Sequence, residues 1–199
     1  MTADFDISPN FTAQVNAGTD RSNGVRSAYY PRSSPLGATT NGDALIGELS
    51  NTTNTLQTYL TFRGSPGAHS LEVLGGYEFN EYSTVSSNSE AQSFITDAFG
   101  YNNLGAGAVL QSGFVGSGRN DSRLVSFFGR ANYGFKDRYF LTGAVRRDGS
   151  SRFGSGNKWA VFPALSASWL VSGESFMRGS PFSELRIKGG YGLNGSQEI

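Results

Sequence analysis

Few side chains in this sequence have enough chemistry to suggest a reaction. Glu72 and Glu78 lie in one strand-like stretch, HSLEVLGGYEFNE. Two carboxylates held roughly 5 to 9 Å apart are the minimum apparatus of a glycosidase. These two lie six residues apart on one face of a strand, too far for direct pairing. They read as polar lining rather than as an acid–base pair. Asp97 and Asp121 lie in or beside a long polar stretch with no identifiable partner. His69 is the only histidine and sits at a short turn, where it reads as a hydrogen-bonding turn residue rather than a base. One histidine and no cysteine give no transition-metal site. The glycine-rich stretches at 105–107, 116–118 and 154–156 lack the third glycine of a dinucleotide fingerprint. Ser155 to Lys158 spells S-x-x-K, a match too short to carry a nucleophile. No catalytic residue emerges, and no cofactor is expected.

Composition points to strands and turns. The chain has 199 residues, with 16 basic and 16 acidic side chains. Balanced charge gives no basic stripe for a nucleic-acid partner. The 27 glycines, many hydroxyl and amide residues and 13% aromatic content disfavour helix and suit β-structure. Aromatics are too plentiful for disorder. The longest apolar candidate, AVFPALSASWLV at 160–171, holds a proline and two serines and falls short of a membrane helix. A helical membrane protein is therefore excluded. A membrane β-barrel is not, because its strands need only about 9 to 11 residues. The start, MTADFDISPN, is acidic and lacks the apolar core of a signal peptide.

Period-two alternation dominates the chain. It predicts seven strands, around 11–17, 56–63, 70–80, 125–133, 139–146, 159–169 and 185–193. Short connections fall at 64–67 and 135–137, with a medium one near 171–184. Long polar ones fall at 22–41, 84–120 and 149–157. Short turns at one end and long loops at the other are the pattern of an outer-membrane barrel. A secreted soluble β-sandwich that binds carbohydrate would also alternate, with its apolar face inside. The two readings differ over Val125, Phe127, Leu141, Val161 and Leu165, which a barrel turns to lipid and a sandwich buries. Three features favour the barrel. Charge lies deep within strands, aromatics gather near strand ends, and a 37-residue loop is long for a sandwich of this size.

Particular residues go further. The stretches FGRANYGFKDRYFLTGAVRRDGSSRFG, WAVFPALSASWLVSGESFM, ELRIKGGYGLNGSQ, TDAFGYNNLGAG and HSLEVLGGYEF are collinear. Together they resemble the barrel of SusC/RagA-type TonB-linked outer-membrane proteins of the Bacteroidota, within the TonB-dependent receptor superfamily. The run RRDGSSRFG followed by a W-x-x-F-P strand is the most specific element.

The resemblance implies an all-β fold: an antiparallel transmembrane β-barrel segment, about seven strands of a roughly 22-stranded barrel in the outer membrane. Residues 1–199 would be part of that barrel domain, without the signal peptide, TonB box and plug, and Met1 would be a chance start within the barrel. An open sheet leaves unpaired edges, so the fragment alone is expected not to transport. The polar stretch after β-like RYFLTGAV becomes an extracellular loop, with Gly149, Gly154 and Gly156 letting it turn sharply. Gln57, Tyr59, Arg63, Glu72, Glu78, Arg130, Arg146, Asp148 and Lys188 would line the lumen. Arg147, Arg152 and Lys158 would lie near the lipid head groups. Phe94, Phe99, Tyr101, Asn102 and Asn103 are candidate contacts for an oligosaccharide or peptide substrate. The implied partners are a SusD-type lipoprotein lid, the TonB complex and outer-membrane lipid.

Overall fold

The computed structural model describes residues 1–154 and 156–195. Ser155, the first residue of the S-x-x-K match, lies outside them, as does the tail of ELRIKGGYGLNGSQ beyond Gly195.

The described chain forms β1 (Thr2–Ser8), β2 (Phe11–Tyr30), β3 (Asp43–Gly64), β4 (His69–Phe94), β5 (Gly107–Val109), β6 (Val115–Phe135), β7 (Tyr139–Ser150), β8 (Trp159–Leu170) and β9 (Arg186–Gly192). They make one sheet in the order β1-β2-β3-β4-β6-β7-β8-β9, with β5 beside β4. Helical geometry is confined to four three-residue 3₁₀ turns among the described residues.

Strands adjacent in this order follow one another in the chain apart from the short β5, and the connections fall at alternate ends. One end has Pro9–Asn10, residues 65–68, residues 136–138 and the longer 171–185. Lys136 and Asp137 both take positive φ (54° and 50°), and the Arg138 amide donates to the Phe135 carbonyl at 3.1 Å. Two successive positive φ values at the centre of this turn follow the natural twist of a hairpin. In the 171–185 turn, Glu174 accepts from Arg138 (3.1 Å), the Tyr139 hydroxyl (2.7 Å) and the Trp169 indole (3.2 Å).

The other end departs from the sequence reading. The polar stretches expected to be loops at 22–41 and 84–120 are about half strand, leaving connections of 31–42 and 95–114, the second with β5 inside it. β1 was also not foreseen, although Ala3, Phe5 and Ile7 alternate with Asp4, Asp6 and Ser8. Gly149 does not turn the chain. It pairs with Val125 and Trp159 inside the sheet, and the Trp159 ring lies where its Cβ would stand, at 2.8 Å. Gly154 and Gly156 lie in the connection between β7 and β8, where the Asn157 amide donates to the Gly154 carbonyl at 3.0 Å. The glycine at 149 makes room for an indole rather than for a bend.

Contacts divide the chain into two compact units. The first comprises Met1–Gly18, Asn54–Glu81 and the chain from Ser122 on; the second comprises Thr19–Thr53 and Tyr82–Asp121. In the first unit the alternation is strict. β6, β7, β8 and β9 align in unbroken rows such as Ala131–Gly143–Leu165–Tyr191. Side chains alternate faces along a strand, so one face gathers Phe127, Leu141, Val161 and Leu165 and the other Ser126, Thr142, Arg146 and Ser166. Val161 is 54% exposed and Leu165 59%, while Phe127 and Leu141 are likewise exposed and Val125 is half-buried. A sandwich would have buried this face.

The face also has the right height. From Tyr139 at one end to Gly149 beneath Trp159 at the other is ten residues, roughly 33 Å of strand. Tilted by about 40°, that spans about 25 Å, the height of a barrel's apolar band. The second unit shows no such face. β2 beyond Gly18 reads TDRSNGVR and is exposed throughout. Its strands belong in water, which is why hydropathy did not reveal them.

Candidate functional site

The polar face of the first unit assembles two ionic clusters. At Glu72, Arg63 Nε donates at 2.8 Å and Asn132 Nδ2 at 3.1 Å, and Arg130 stands 3.7 Å away. Thr142 in turn donates to Asn132 at 2.9 Å. At Glu78, Arg146 Nη2 donates at 2.9 Å, Asn80 Nδ2 at 2.8 Å and Gln57 Nε2 at 3.2 Å. Arg146 also donates to Asp148 (2.7 Å) and to the fully buried Ser126 hydroxyl (2.9 Å). Between the clusters, Phe128 packs against Tyr59 with ring centroids 5.6 Å apart, and the Arg146 guanidinium lies over its ring at 5.7 Å.

Eight of the nine predicted lumen residues therefore meet in two groups: Arg63, Glu72 and Arg130, and then Gln57, Tyr59, Glu78, Arg146 and Asp148. Lys188 stays apart, exposed on β9 opposite Ser168. Each glutamate is held by its own arginine and amide donors. That arrangement fixes both carboxylates in charge-assisted hydrogen bonds on the polar face. Asn80, Ser126, Phe128, Asn132 and Thr142 belong to the same network and were not singled out from sequence. Their position, an even number of residues from a charged neighbour on the same strand, is the signal that would have found them.

The second unit holds a small apolar knot. Ala44, Ala91 and Phe94 are buried together, and Tyr29, Leu104 and Ala106 pack against them. Phe94, offered above as a substrate contact, is 1% exposed and meets Tyr29 edge-on at 5.6 Å. It is a core residue and cannot touch a ligand. Phe99, Tyr101, Asn102 and Asn103 are exposed on the connection it anchors. Asn102 donates through its side-chain amide to the Phe99 carbonyl at 3.2 Å.

Asp97, which had no partner in the sequence, closes a clasp over this knot. It accepts from the Tyr29 hydroxyl (2.7 Å), the Arg32 amide (3.2 Å) and Arg32 Nε (3.2 Å). The Tyr29 hydroxyl and then the Arg32 amide hold the Asp97 carboxyl below its ordinary range. Burial, and then the bond to Asp97, push the Tyr29 phenol up to about 12. Asp97's contribution is present above its unfolded pKa of about 3.8 and is lost as pH falls through its lower folded value. Tyr29's contribution is present below its unfolded pKa of 10.0 and is lost as pH rises through about 12. We expect the Arg32 amide to be protected from hydrogen exchange between about pH 4 and 10 and to lose protection in acid, relative to neighbouring strand amides, in Asp97→Asn as at low pH. Unchanged protection in the variant would remove Asp97 from this role.

Two further expectations need correction. Lys158 lines a cavity of the polar face with Asp148, Phe153 and Phe162, not the lipid side. Asp121 pairs with Arg119 at 2.9 Å and is not partnerless.

Comparison with known proteins decides between the folds. The family described as TonB dependent receptor-like, beta-barrel, matches residues 1–194. The chain belongs to that family. It is 38% identical over 173 residues to TonB-dependent receptor P3 of Formosa agariphila, covering 86% of this chain and 17% of the relative. It is 43% identical over 77 residues to TonB-dependent receptor SusC of Bacteroides thetaiotaomicron, covering 38% of this chain and 8% of that one. The structure of the RagAB peptide transporter superposes on the whole chain with a TM-score of 0.87 and 27% identity, over 22% of its own length. The chain thus spans about a fifth of the relatives it matches. This is a SusC/RagA-type barrel sheet of the outer membrane, and the sandwich reading is set aside. Among the described residues no helix is long and apolar enough to cross a membrane; this sheet crosses by strands.

Proposed function

We propose that this chain is a section of the lumen wall of a TonB-dependent importer of large nutrients such as oligosaccharides or peptides, and that it performs no catalysis. One observation carries the reading. A single sheet bears two ion-pair clusters on one face and a bare apolar face of membrane height on the other. Water on one side and lipid on the other satisfy both faces at once. A relative whose structure fits over the whole chain is a peptide transporter, which favours peptides. Phe99, Tyr101, Asn102 and Asn103 supply stacking and amide hydrogen bonds toward the substrate on the outer side. A SusD-type lipoprotein closes over that side, and the TonB complex supplies the energy through the plug of the whole receptor.

The test is the orientation of the two faces. Nitroxide labels at Val161 and Leu165, and separately at Gln57 and Thr142, are to be read in outer membranes of cells producing the protein. Val161 and Leu165 should collide with dissolved oxygen in preference to a nickel chelate, and Gln57 and Thr142 the reverse. The same preference at all four positions would refute the wall.

A further inference from the structure

The first unit's strands carry six arginines, and five of them meet a carboxylate. Arg63 and Arg130 pair with Glu72, Arg123 with Glu81, Arg146 with Glu78 and Asp148, and Arg186 with Glu184. Arg147 makes no ion pair among the described residues, and it is exposed. Arg123 and Arg147 both lie on the face of Phe127, but Arg123 is paired, and Arg147 alone of the six stands within the row Phe127–Arg147–Val161. Its guanidinium lies over the Trp159 ring at 4.7 Å, and Trp159 stacks on Phe127 at 6.3 Å, which in turn packs on Tyr77 at 5.3 Å. Immediately beyond, Arg123 and Glu81 form a 2.8 Å ion pair, so the apolar band ends here.

A lone cation within a hydrocarbon-facing row is costly unless an anion meets it at the boundary. The planar ring beneath fixes the guanidinium and leaves its N–H edge free for a phosphate fork. Beside it Val161, and further along the strands Val145 and Leu165, offer exposed apolar surface for an acyl chain. We propose that Arg147, on its Trp159 platform, binds the phosphate of an outer-leaflet lipid whose chains lie down this face. The proposal rests on the reading that the apolar face meets lipid, and the nitroxide measurement above tests that reading separately.

The experiment is native mass spectrometry of the detergent-purified protein, titrated with phosphorylated lipid A, its dephosphorylated form and inorganic phosphate. Phosphorylated lipid is expected to bind about tenfold tighter than the dephosphorylated form. Arg147→Gln should abolish that preference, Arg147→Lys should keep part of it, and Lys158→Gln, on the opposite face, should leave it intact. Equal binding of the two lipids by the unaltered protein, or a preference that survives Arg147→Gln, would overturn the proposal. Displacement of the lipid by millimolar inorganic phosphate would show an anion site with no lipid in it and would overturn it equally. If Arg147→Gln does not fold, the Arg147→Lys variant and the lipid comparison on the unaltered protein still decide. Oxygen-accessible labels at Val161 with no phosphate preference would refute this site while leaving the wall standing.

Discussion

Arg146→Met is expected to destabilise the barrel by about 2–3 kcal/mol, read from guanidinium unfolding in detergent micelles. Arg146 serves three acceptors at once: Glu78, Asp148 and the buried Ser126 hydroxyl. Its removal leaves the Glu78 and Asp148 carboxylates, on β4 and β7 either side of β6, with no cation between them. Removing one member of a buried pair costs about 3–5 kcal/mol, but the Arg146 side chain is 38% exposed, so water offsets part of that. Arg63→Met makes the contrast. Its side chain is 63% exposed, and Asn132 and Arg130 still face Glu72 after it is gone. A loss of under about 1 kcal/mol is expected there. Adding Glu78→Gln to Arg146→Met should recover about 1 kcal/mol, since the neutral amide no longer needs the guanidinium. Equal losses for Arg146→Met and Arg63→Met would mean that the two clusters are ordinary surface pairs.

What the sequence made legible follows from where hydropathy is used. Within the first unit, lipid on one side and water on the other force strict alternation, so Leu141 against Thr142 or Leu165 against Ser166 reveals strand and face together. The two ionic clusters were half visible for the same reason, because charge placed in phase with alternation must point to the wet side. Their pairing was not visible. Glu78 and Arg146 are far apart in sequence, and only the sheet order brings them together. Beyond Gly18 and Glu81 both faces of the strands meet water, alternation has no cause, and β2 and β4 run on through residues that read as loop. Phe94 misled because an aromatic in a Tyr- and Asn-rich stretch suggests stacking on a ligand. Its neighbours Ala44 and Ala91 come from other parts of the chain, and two alanines announce no core. Asp97 likewise met Tyr29 only through that knot.

Phe94→Ala is expected to release this outer knot without unfolding the wall. The ring is the one large side chain among the fully buried members, the others being alanines, and the half-buried Tyr29 and Leu104 beside it can fill only part of the space it leaves. The backbone around it is held against its preference. Asn41 and Ser93 take φ of 54° and 64°, a region that costs non-glycine residues of order 1 kcal/mol or more. They stay there through the Ser93 amide bonds to Thr40 (3.0 Å) and Gly42 (3.1 Å) and the Phe94 amide bond to Asn41 (2.9 Å). Losing the ring should cost about 3 kcal/mol locally, which raises the opening equilibrium, and hence the exchange rate of the Ser93 and Phe94 amides, about 150-fold. Amides in the β7–β8 ladder should not change, because they open with the first unit. Phe94→Leu, which keeps most of the volume, should raise exchange by no more than about tenfold. The connection bearing Phe99, Tyr101, Asn102 and Asn103 starts at this ring, so its order follows the knot. Exchange at Ser93 that stays slow in Phe94→Ala would mean that the backbone bonds alone hold the outer loops. In that case the Tyr29–Asp97–Arg32 clasp, rather than the core, would be what presents those side chains.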